Sequence, residues 1–186
     1  MSFIRKKLVV IGDRECGKTS LCSMFSNETF PKNDISSVNV YISEMFVKLA
    51  VWDGPGHENY DRLRPLQYPY TDVAIIVYSI DSPDSLYNIK ERWVREVDHF
   101  CPGVPIVLVG NKVDLRDDTS TIKHLKKYLR KPVSYGEGKK MAHSIGAYAF
   151  FECSALDNLN VKEAFFEATK ATIYSKTSQK KKCAIL

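Results

Sequence analysis

The sequence predicts an α/β fold, a single domain with an open, mostly parallel six-stranded sheet and helices on both faces. Uninterrupted apolar, β-branched runs recur along the chain, as is typical of parallel strands that are buried on both faces. Helical stretches separate these runs, so that strands and helices alternate. The chain has 186 residues, of which 44% are hydrophobic and 26% charged. This length is enough for one such domain and too short for two domains that each have a sizeable core.

The predicted strands are the runs 8–11, 38–42, 46–52, 73–78, 105–110 and 149–153. Residues 38–42 and 46–52 are β-prone and close enough for an antiparallel hairpin, although no glycine marks its turn. The stretch 27–37 is polar and interrupted by Pro31, which predicts an exposed loop. Residues 56–71 mix charged and aromatic side chains, as expected for a surface loop that partners contact.

The predicted helices are 20–25, 81–99, 117–131, 135–145 and 161–175. The second begins with a capping serine and has Pro83 at its first helical position. Its residues Leu86, Ile89, Trp93 and Val97 are spaced for one apolar face. The stretch 117–131 is highly charged, and its few apolar residues form only a narrow stripe, so we expect it to be an appendage.

A phosphate-binding pattern, G-x-x-x-x-G-K-[ST], lies between the first strand and the first helix. Its residues are Gly12, Asp13, Arg14, Glu15, Cys16, Gly17, Lys18 and Thr19, and Ser20 follows them. Such a loop directs backbone N–H groups and a helix N-terminus at phosphates. Lys18 adds a positive charge at the outer phosphates, and Thr19 offers its hydroxyl to Mg²⁺. A plain glycine turn with an exposed lysine is the alternative, which the strand-loop-helix context disfavours.

Three further motifs follow predicted strands, and we expect them at the same edge of the sheet. They are Asp53, Gly54, Pro55 and Gly56; then Asn111, Lys112 and Asp114; then Ser154, Ala155 and Leu156. Asp53 can hold Mg²⁺ through water, and the Gly56 N–H can meet a γ-phosphate oxygen. Asp114 can accept both N–H donors of the guanine N1 and N2 edge, which adenine lacks, and a backbone N–H near Ala155 can meet guanine O6. A helix N-cap is the alternative role of Asp114.

Charge and cysteine usage limit the compartments and partners. The net charge is +5, and Lys176, Lys180, Lys181 and Lys182 concentrate much of it near the C-terminus, which indicates an anionic surface and not a nucleic-acid groove. The five cysteines, at 16, 22, 101, 153 and 183, show no paired metal-ligand spacing and fit a reducing cytosol. The sequence shows no signal peptide and no apolar run of about 18 residues that could span a membrane.

Over nearly all of its length the chain resembles the Rho family of small GTPases, within the Ras superfamily. Besides the motifs above, the resemblance rests on residues 4–10, 60–66, 79–85, 100–102 and 152–156, and on the charged stretch 117–131, which matches the Rho insert helix. It implies a monomeric signalling switch that binds GTP or GDP with Mg²⁺, hydrolyses GTP and regulates the actin cytoskeleton. The partners it implies are effectors, exchange factors, GTPase-activating proteins and a dissociation inhibitor.

The resemblance also assigns roles to single residues. Phe30 would stack on the guanine, and Ser37 would stand where the family has the threonine that closes on Mg²⁺ when GTP is bound. Lys18, Gly56 and His57 would be the catalytic residues, with His57 in place of the glutamine that orients the attacking water.

The departures from the family pattern concern hydrolysis and partner binding. By this resemblance Arg14 replaces a glycine, and a side chain at that position would point toward the space that the catalytic glutamine and an arginine finger share in the family. His57 replaces that glutamine, as in translational GTPases, where a large partner positions the histidine. Asp34 replaces a tyrosine lid over the phosphates, and the segment that follows it is shorter than in typical Rho proteins. Partner proteins that recognise the hairpin in this segment would therefore bind poorly.

The C-terminal residues predict a lipid anchor. Cys183 begins a C-a-a-X pattern that ends in leucine, which favours a geranylgeranyl group. The three preceding lysines supply a second signal, because one lipid alone gives only marginal attachment. We therefore expect a GTPase domain over 1–175, a polybasic tail over 176–186, and a protein at the cytoplasmic face of the plasma membrane with a cytosolic pool.

Two functions remain open at this point. One is a GTP-hydrolysing switch, and the other is a binding module that holds GTP because Arg14 and His57 have removed most of the catalysis. A phosphate-loop ATPase or kinase is a third possibility. The motif of Asn111, Lys112 and Asp114 argues against it, because this motif favours guanine over adenine.

Overall fold

The computed structural model describes residues 3–26 and 35–175. These residues form the strands β1 (Ile4–Gly12), β2 (Ile35–Ile42), β3 (Met45–Asp53), β4 (Val73–Ser79), β5 (Ile106–Asn111) and β6 (Ala149–Glu152). All lie in one sheet in the order β2-β3-β1-β4-β5-β6. β2 runs antiparallel to β3, and the other neighbouring strands are parallel. The predicted fold class, a mostly parallel six-stranded sheet with helices, is confirmed.

The same residues form the helices α1 (Lys18–Ser26), α2 (Pro83–Asn88), α3 (Arg95–Phe100), α4 (Thr119–Lys126), α5 (Tyr135–Ser144) and α6 (Val161–Tyr174). A π-helical segment, Ile89–Val94, joins α2 to α3 without a break, and we call the continuous run helix 83–100. Short 3₁₀ turns occur at Glu58–Tyr60, Arg64–Gln67 and Val113–Leu115.

The helices cover both faces of the sheet because successive side chains of a strand point to opposite faces. On one face, Leu8 and Val10 of β1 pack in the same core as Phe165 of α6. On the other face, Val9 and Ile11 lie in a core with Trp93 of helix 83–100. Because β1, β3, β4, β5 and β6 run parallel, their carboxyl ends meet at one edge of the sheet, where ligands bind in open α/β folds.

β2 begins earlier than predicted. Residues 35–37 were expected to belong to an exposed loop, which is wrong, because Ile35, Ser36 and Ser37 pair with Trp52, Val51 and Ala50 of β3. Hydrogen bonding to β3 outweighs the polar character of this stretch. The hairpin itself is confirmed, and Ser43 makes its turn without glycine by adopting a positive φ of 54°. The rest of the predicted loop, 27–34, lies outside the described residues.

Two helices differ from their predicted form. Pro83 is the first residue of α2, as predicted, but the hydroxyl of Ser82 makes no capping hydrogen bond. The hydroxyl of Ser85 instead donates to the Ser82 carbonyl at 2.6 Å and accepts the Ser79 N–H at 2.9 Å. Within the predicted stretch 117–131, only Thr119–Lys126 is α-helical, because Leu125 is its one buried side chain and gives the helix little to pack with.

No helix among residues 3–26 and 35–175 is both long and apolar enough to cross a membrane.

Candidate functional site

The phosphate loop connects β1 to α1 and requires glycine at both of its ends. Gly12 has a φ of 146° and Gly17 a φ of 79°, which other residues rarely adopt. A Cβ at Gly12 would clash with the carbonyl oxygen of Val77, and one at Gly17 would clash with the side-chain amide of Asn111. The loop therefore packs tightly against the ends of β4 and β5.

Lys18 is buried at the start of α1 and is 7% exposed. Its Nζ donates a hydrogen bond of 2.7 Å to the backbone oxygen of Asp13. Burial lowers the pKa of Lys18, while the nearby charges of Asp53 and Asp13 act in the opposite direction. Burial also raises the pKa of the Cys16 thiol to about 11, so this neighbour is neutral at pH 7. A buried ammonium in this position is stabilised by an anionic ligand, as a phosphate group would be.

The hydroxyl of Thr19 donates a hydrogen bond to the carboxylate of Asp53, which joins α1 to the end of β3. Hydroxyl and carboxylate oxygens are the ligands that Mg²⁺ prefers, so this pair fits the ion. Among the described residues, no group of three or more His, Cys, Asp or Glu side chains could hold a metal by itself. A Mg²⁺ ion held here would take its remaining ligands from water and phosphate oxygens, as is usual for this ion.

The segment after β3 returns to the phosphate loop. The Gly54 N–H donates to the carbonyl of Val10 at 2.8 Å. A Cβ on Gly56 would lie 2.6 Å from Nζ of Lys18 and would clash with the backbone of Gly12. The absence of a side chain at Gly56 therefore lets this segment approach the site where Lys18 would contact phosphates.

His57 caps the 3₁₀ turn that follows. Its Nδ1 accepts the N–H of Asn59 at 3.1 Å, so the neutral imidazole carries its proton on Nε2. Arg14 is 67% exposed, pairs with Glu15 at 3.3 Å and lines a cleft of about 300 Å³ together with His57. The structure therefore brings Arg14 and His57 to the same side of the phosphate loop.

A second group of predicted residues lies at the ends of β5 and β6. The Ser154 hydroxyl donates to the Asp114 carboxylate at 2.6 Å and accepts the Asp157 N–H at 3.0 Å. Asp114 belongs to a 3₁₀ turn and is not the N-cap of a helix, so the alternative role considered above is wrong. The side-chain amide of Asn111 donates to the Cys16 carbonyl at 2.9 Å, which fixes the phosphate loop to β5. Lys112 adopts a φ of 62° at this bend.

Two cavities flank the phosphate loop. The first, of about 710 Å³, is lined by Lys18, Thr19 and Asp53 together with Arg14, Gly56 and His57. The second, of about 540 Å³, is lined by Gly17, Thr19 and Ser20 together with Lys112, Asp114, Ala155 and Leu156. Thr19 lines both, so the predicted phosphate and base residues border two adjoining spaces.

The structure does not bring every predicted site residue to these cavities. Ser37 lies within β2 opposite Ala50, three residues from the position of Asp53 along β3, or about 10 Å at the usual rise of a strand. Its role at the Mg²⁺ site stays a prediction that requires the start of β2 to move. The predictions for Phe30, Asp34, Lys180, Lys181, Lys182 and Cys183 concern positions outside the described residues.

Two residues of the site were missed by sequence reasoning. The indole N–H of Trp93 and the side-chain amide of Asn88 both donate to the Asp13 carboxylate, each at 2.7 Å. Asp13 was expected to serve the nucleotide through the loop, but its side chain turns to helix 83–100. The one available signal was Trp93 itself, because a buried indole N–H usually has an acceptor.

The family comparison agrees with this arrangement. The Ras family model matches residues 7–174, which covers the phosphate loop, both cavities and all of the sheet except the first three residues of β1. Members of this family generally bind GTP or GDP with Mg²⁺, hydrolyse GTP, and interact with effectors, exchange factors and activating proteins. The chain belongs to the Ras family and is therefore a Ras-superfamily small GTPase.

Proposed function

We propose that this protein is a guanine-nucleotide-dependent switch that binds GTP and GDP with Mg²⁺ and hydrolyses GTP slowly. One observation carries the proposal. Thr19 and Asp53 line one cavity beside the phosphate loop, and Asp114, which accepts a hydrogen bond from the buried Ser154, lines the other. The spacing suits a ligand with a metal-bound phosphate chain at one end and a base at the other.

Selectivity for guanine follows from the Asp114 carboxylate. Ser154 donates to one of its oxygens, which orients the group and leaves acceptor capacity for a base edge that offers two N–H donors. Guanine has two such donors on adjacent atoms, and adenine does not. Binding adenine would leave a partly buried carboxylate without these partners, which costs free energy.

The residues around Lys18 give the chemistry expected for phosphoryl transfer. A Mg²⁺ ion bound by Thr19 and Asp53 would neutralise charge on the phosphates. Lys18 would bind phosphate oxygens, and the close approach of Gly56 would place its N–H near the terminal phosphate. His57 can donate from Nε2 to a water or a phosphate oxygen, but in this tautomer it cannot accept the proton of the attacking water.

That last restriction favours a second candidate function, in which the protein holds GTP and cycles mainly by nucleotide exchange. The glutamine that His57 replaces by resemblance can both donate to water and accept from it. The exposed guanidinium of Arg14 also lies beside the same cleft, where it would obstruct an incoming arginine by bulk and by like charge. Either change would reduce hydrolysis and its stimulation by an activating protein.

We extend the proposal to a Rho-type protein that acts at the cytoplasmic face of the plasma membrane, with a cytosolic pool. The sequence resemblance supports this subfamily, and α4 lies within the segment that corresponds to the Rho insert. Geranylgeranylation of Cys183, together with Lys180, Lys181 and Lys182, would supply the anchor. Rho-type effectors, exchange factors, activating proteins and a dissociation inhibitor would be the partners, and actin organisation the cellular role.

Two measurements on purified protein test the proposal. Equilibrium titration should give much tighter binding of GDP than of ADP, with affinity that falls when Mg²⁺ is chelated. Equal affinity for the two nucleotides would overturn the assignment. Single-turnover hydrolysis of bound GTP then separates the two candidates, because only the hydrolysing switch converts GTP to GDP faster than it releases GTP.

A further inference from the structure

The carboxylate of Asp13 is held on both of its oxygens by helix 83–100. The Trp93 indole N–H donates to Oδ1, and the Asn88 amide donates to Oδ2, each at 2.7 Å. Trp93 is fully buried, and Asp13 and Asn88 are half-buried. Hydrogen bonds to a charged group are stronger than neutral ones, and more so where water is partly excluded. The side chain of Asp13 is therefore fixed against the helix.

The π-helical segment explains how two residues of one helix reach the same carboxylate. Asn88 and Trp93 are five positions apart, and in a regular α-helix they would be separated by about 140° around the axis. A π-turn closes its hydrogen bond between residues i and i+5 and so brings such residues toward one face. The segment Ile89–Val94 begins directly after Asn88 and contains Trp93. The π-helical turn thus lies between the two donors, where it allows both of them to reach the Asp13 carboxylate.

The backbone of Asp13 holds the residue that would contact the phosphates. Its carbonyl oxygen accepts the Lys18 ammonium at 2.7 Å. A Cβ on Gly56 would lie 2.6 Å from the Asp13 carbonyl carbon, so the segment that carries His57 also packs here. Fixing the Asp13 side chain to the helix therefore fixes the carbonyl that orients Lys18.

The charge of Asp13 gives a second reason for this arrangement. An unrestrained carboxylate in a phosphate-binding loop would repel a triphosphate and compete with it for Lys18. The two donors satisfy the carboxylate on the side of helix 83–100. Lys18 then keeps its remaining N–H groups for the nucleotide.

We propose that Asn88 and Trp93 are positioning residues for nucleotide binding, which act through Asp13 to orient Lys18 and the phosphate loop. The inference rests on the proposed guanine-nucleotide binding. It adds a structural link between helix 83–100 and the nucleotide, so that the lifetime of the bound nucleotide depends on residues that do not contact it.

The test uses the full chain with Trp52→Phe as the background. The sequence has two tryptophans, so the tryptophan emission of this background comes from Trp93. The rate of dissociation of a fluorescent GDP analogue is measured for Asn88→Ala, Asp13→Ala and the double variant. Lys90→Ala is the matched control, because this exposed side chain lies in the same π-helical segment. The melting temperature and the Trp93 emission spectrum are recorded for each nucleotide-free protein.

We expect dissociation to be about tenfold faster in Asn88→Ala and in Asp13→Ala, a change of about 1.4 kcal/mol. The double variant should release nucleotide no faster than Asp13→Ala, because Asn88 acts through Asp13. Asp13→Asn should restore most of the lifetime, since its amide oxygen still accepts from Trp93 and the Asn88 amide can turn to pair with it. The Trp93 emission should shift in Asp13→Ala and stay unchanged in Lys90→Ala.

Wild-type dissociation rates in both single variants would overturn the inference. So would additive effects in the double variant, which would show that Asn88 acts through general helix stability. A wild-type protein that binds no guanine nucleotide would instead overturn the proposed function, so the two failures are distinguishable.

Discussion

Removing the Asp114 carboxylate should abolish the discrimination between guanine and related bases. In Asp114→Ala the two donors of the guanine edge lose a charged acceptor that Ser154 holds in place at 2.6 Å. Each hydrogen bond to a charged group contributes about 1.5–3 kcal/mol, so the loss is about 3–6 kcal/mol. Each 1.4 kcal/mol is a factor of ten, which gives a decrease in GDP affinity of roughly 10²- to 10⁴-fold.

The assay compares GDP with inosine diphosphate, which lacks the 2-amino group and therefore one of the two donors. In the wild-type protein, GDP should bind about 10- to 100-fold more tightly, as one charged hydrogen bond predicts. In Asp114→Ala this difference should disappear, because the acceptor is gone. Ser154→Ala is the matched control, in which the carboxylate remains and the preference should be reduced but kept. An Asp114→Ala protein that still prefers GDP by the wild-type factor would refute the reasoning.

The remaining predictions concern stability, hydrolysis and the anchor. Glu96→Ala should destabilise the fold by about 3–5 kcal/mol, measured by denaturant unfolding, because the buried Arg64 guanidinium then keeps its ion pair with the half-exposed Asp61 but loses the carboxylate at 2.6 Å, and the Tyr68 hydroxyl loses its acceptor; a change below about 1 kcal/mol would contradict this. Arg14→Gly with His57→Gln should give the fastest single-turnover hydrolysis and restore the response to an activating protein, whereas slower hydrolysis in Arg14→Gly alone would make Arg14 a catalytic residue supplied in cis. Cys183→Ser should leave the protein soluble after cell fractionation, and membrane association of that variant would disprove the anchor.

Much of the fold could be predicted because its strands are buried on both faces. The runs that became β1, β4 and β5 contain apolar residues without interruption, and only central parallel strands favour such a composition. Their bounds were less predictable. β1 extends back to Ile4 through charged residues because each of them pairs with a residue of β3, and this pairing is not visible in the composition of β1 alone.

The candidate site was predictable where backbone chemistry requires a residue type. Gly12 and Gly17 adopt positive φ angles and lie against neighbouring atoms, so the two glycines of the sequence pattern mark positions where the backbone of the loop requires glycine. The direction of the Asp13 side chain was not predictable, because it depends on a π-helical turn in a distant segment. The displacement of Ser37 into β2 likewise depends on pairing with β3, which local sequence does not determine.

The identity of the nucleotide that co-purifies with the protein tests the central claim most directly. Full-length protein, purified in the presence of Mg²⁺, is denatured with acid, and the released small molecules are separated and identified by mass spectrometry. We predict close to one equivalent of GDP or GTP, because in the proposed function Asp114 would select the base, and Lys18 with the Thr19–Asp53 pair would hold the phosphates. Release of an adenine nucleotide in that amount, or equal competition of ATP and GTP for the emptied protein, would contradict the account.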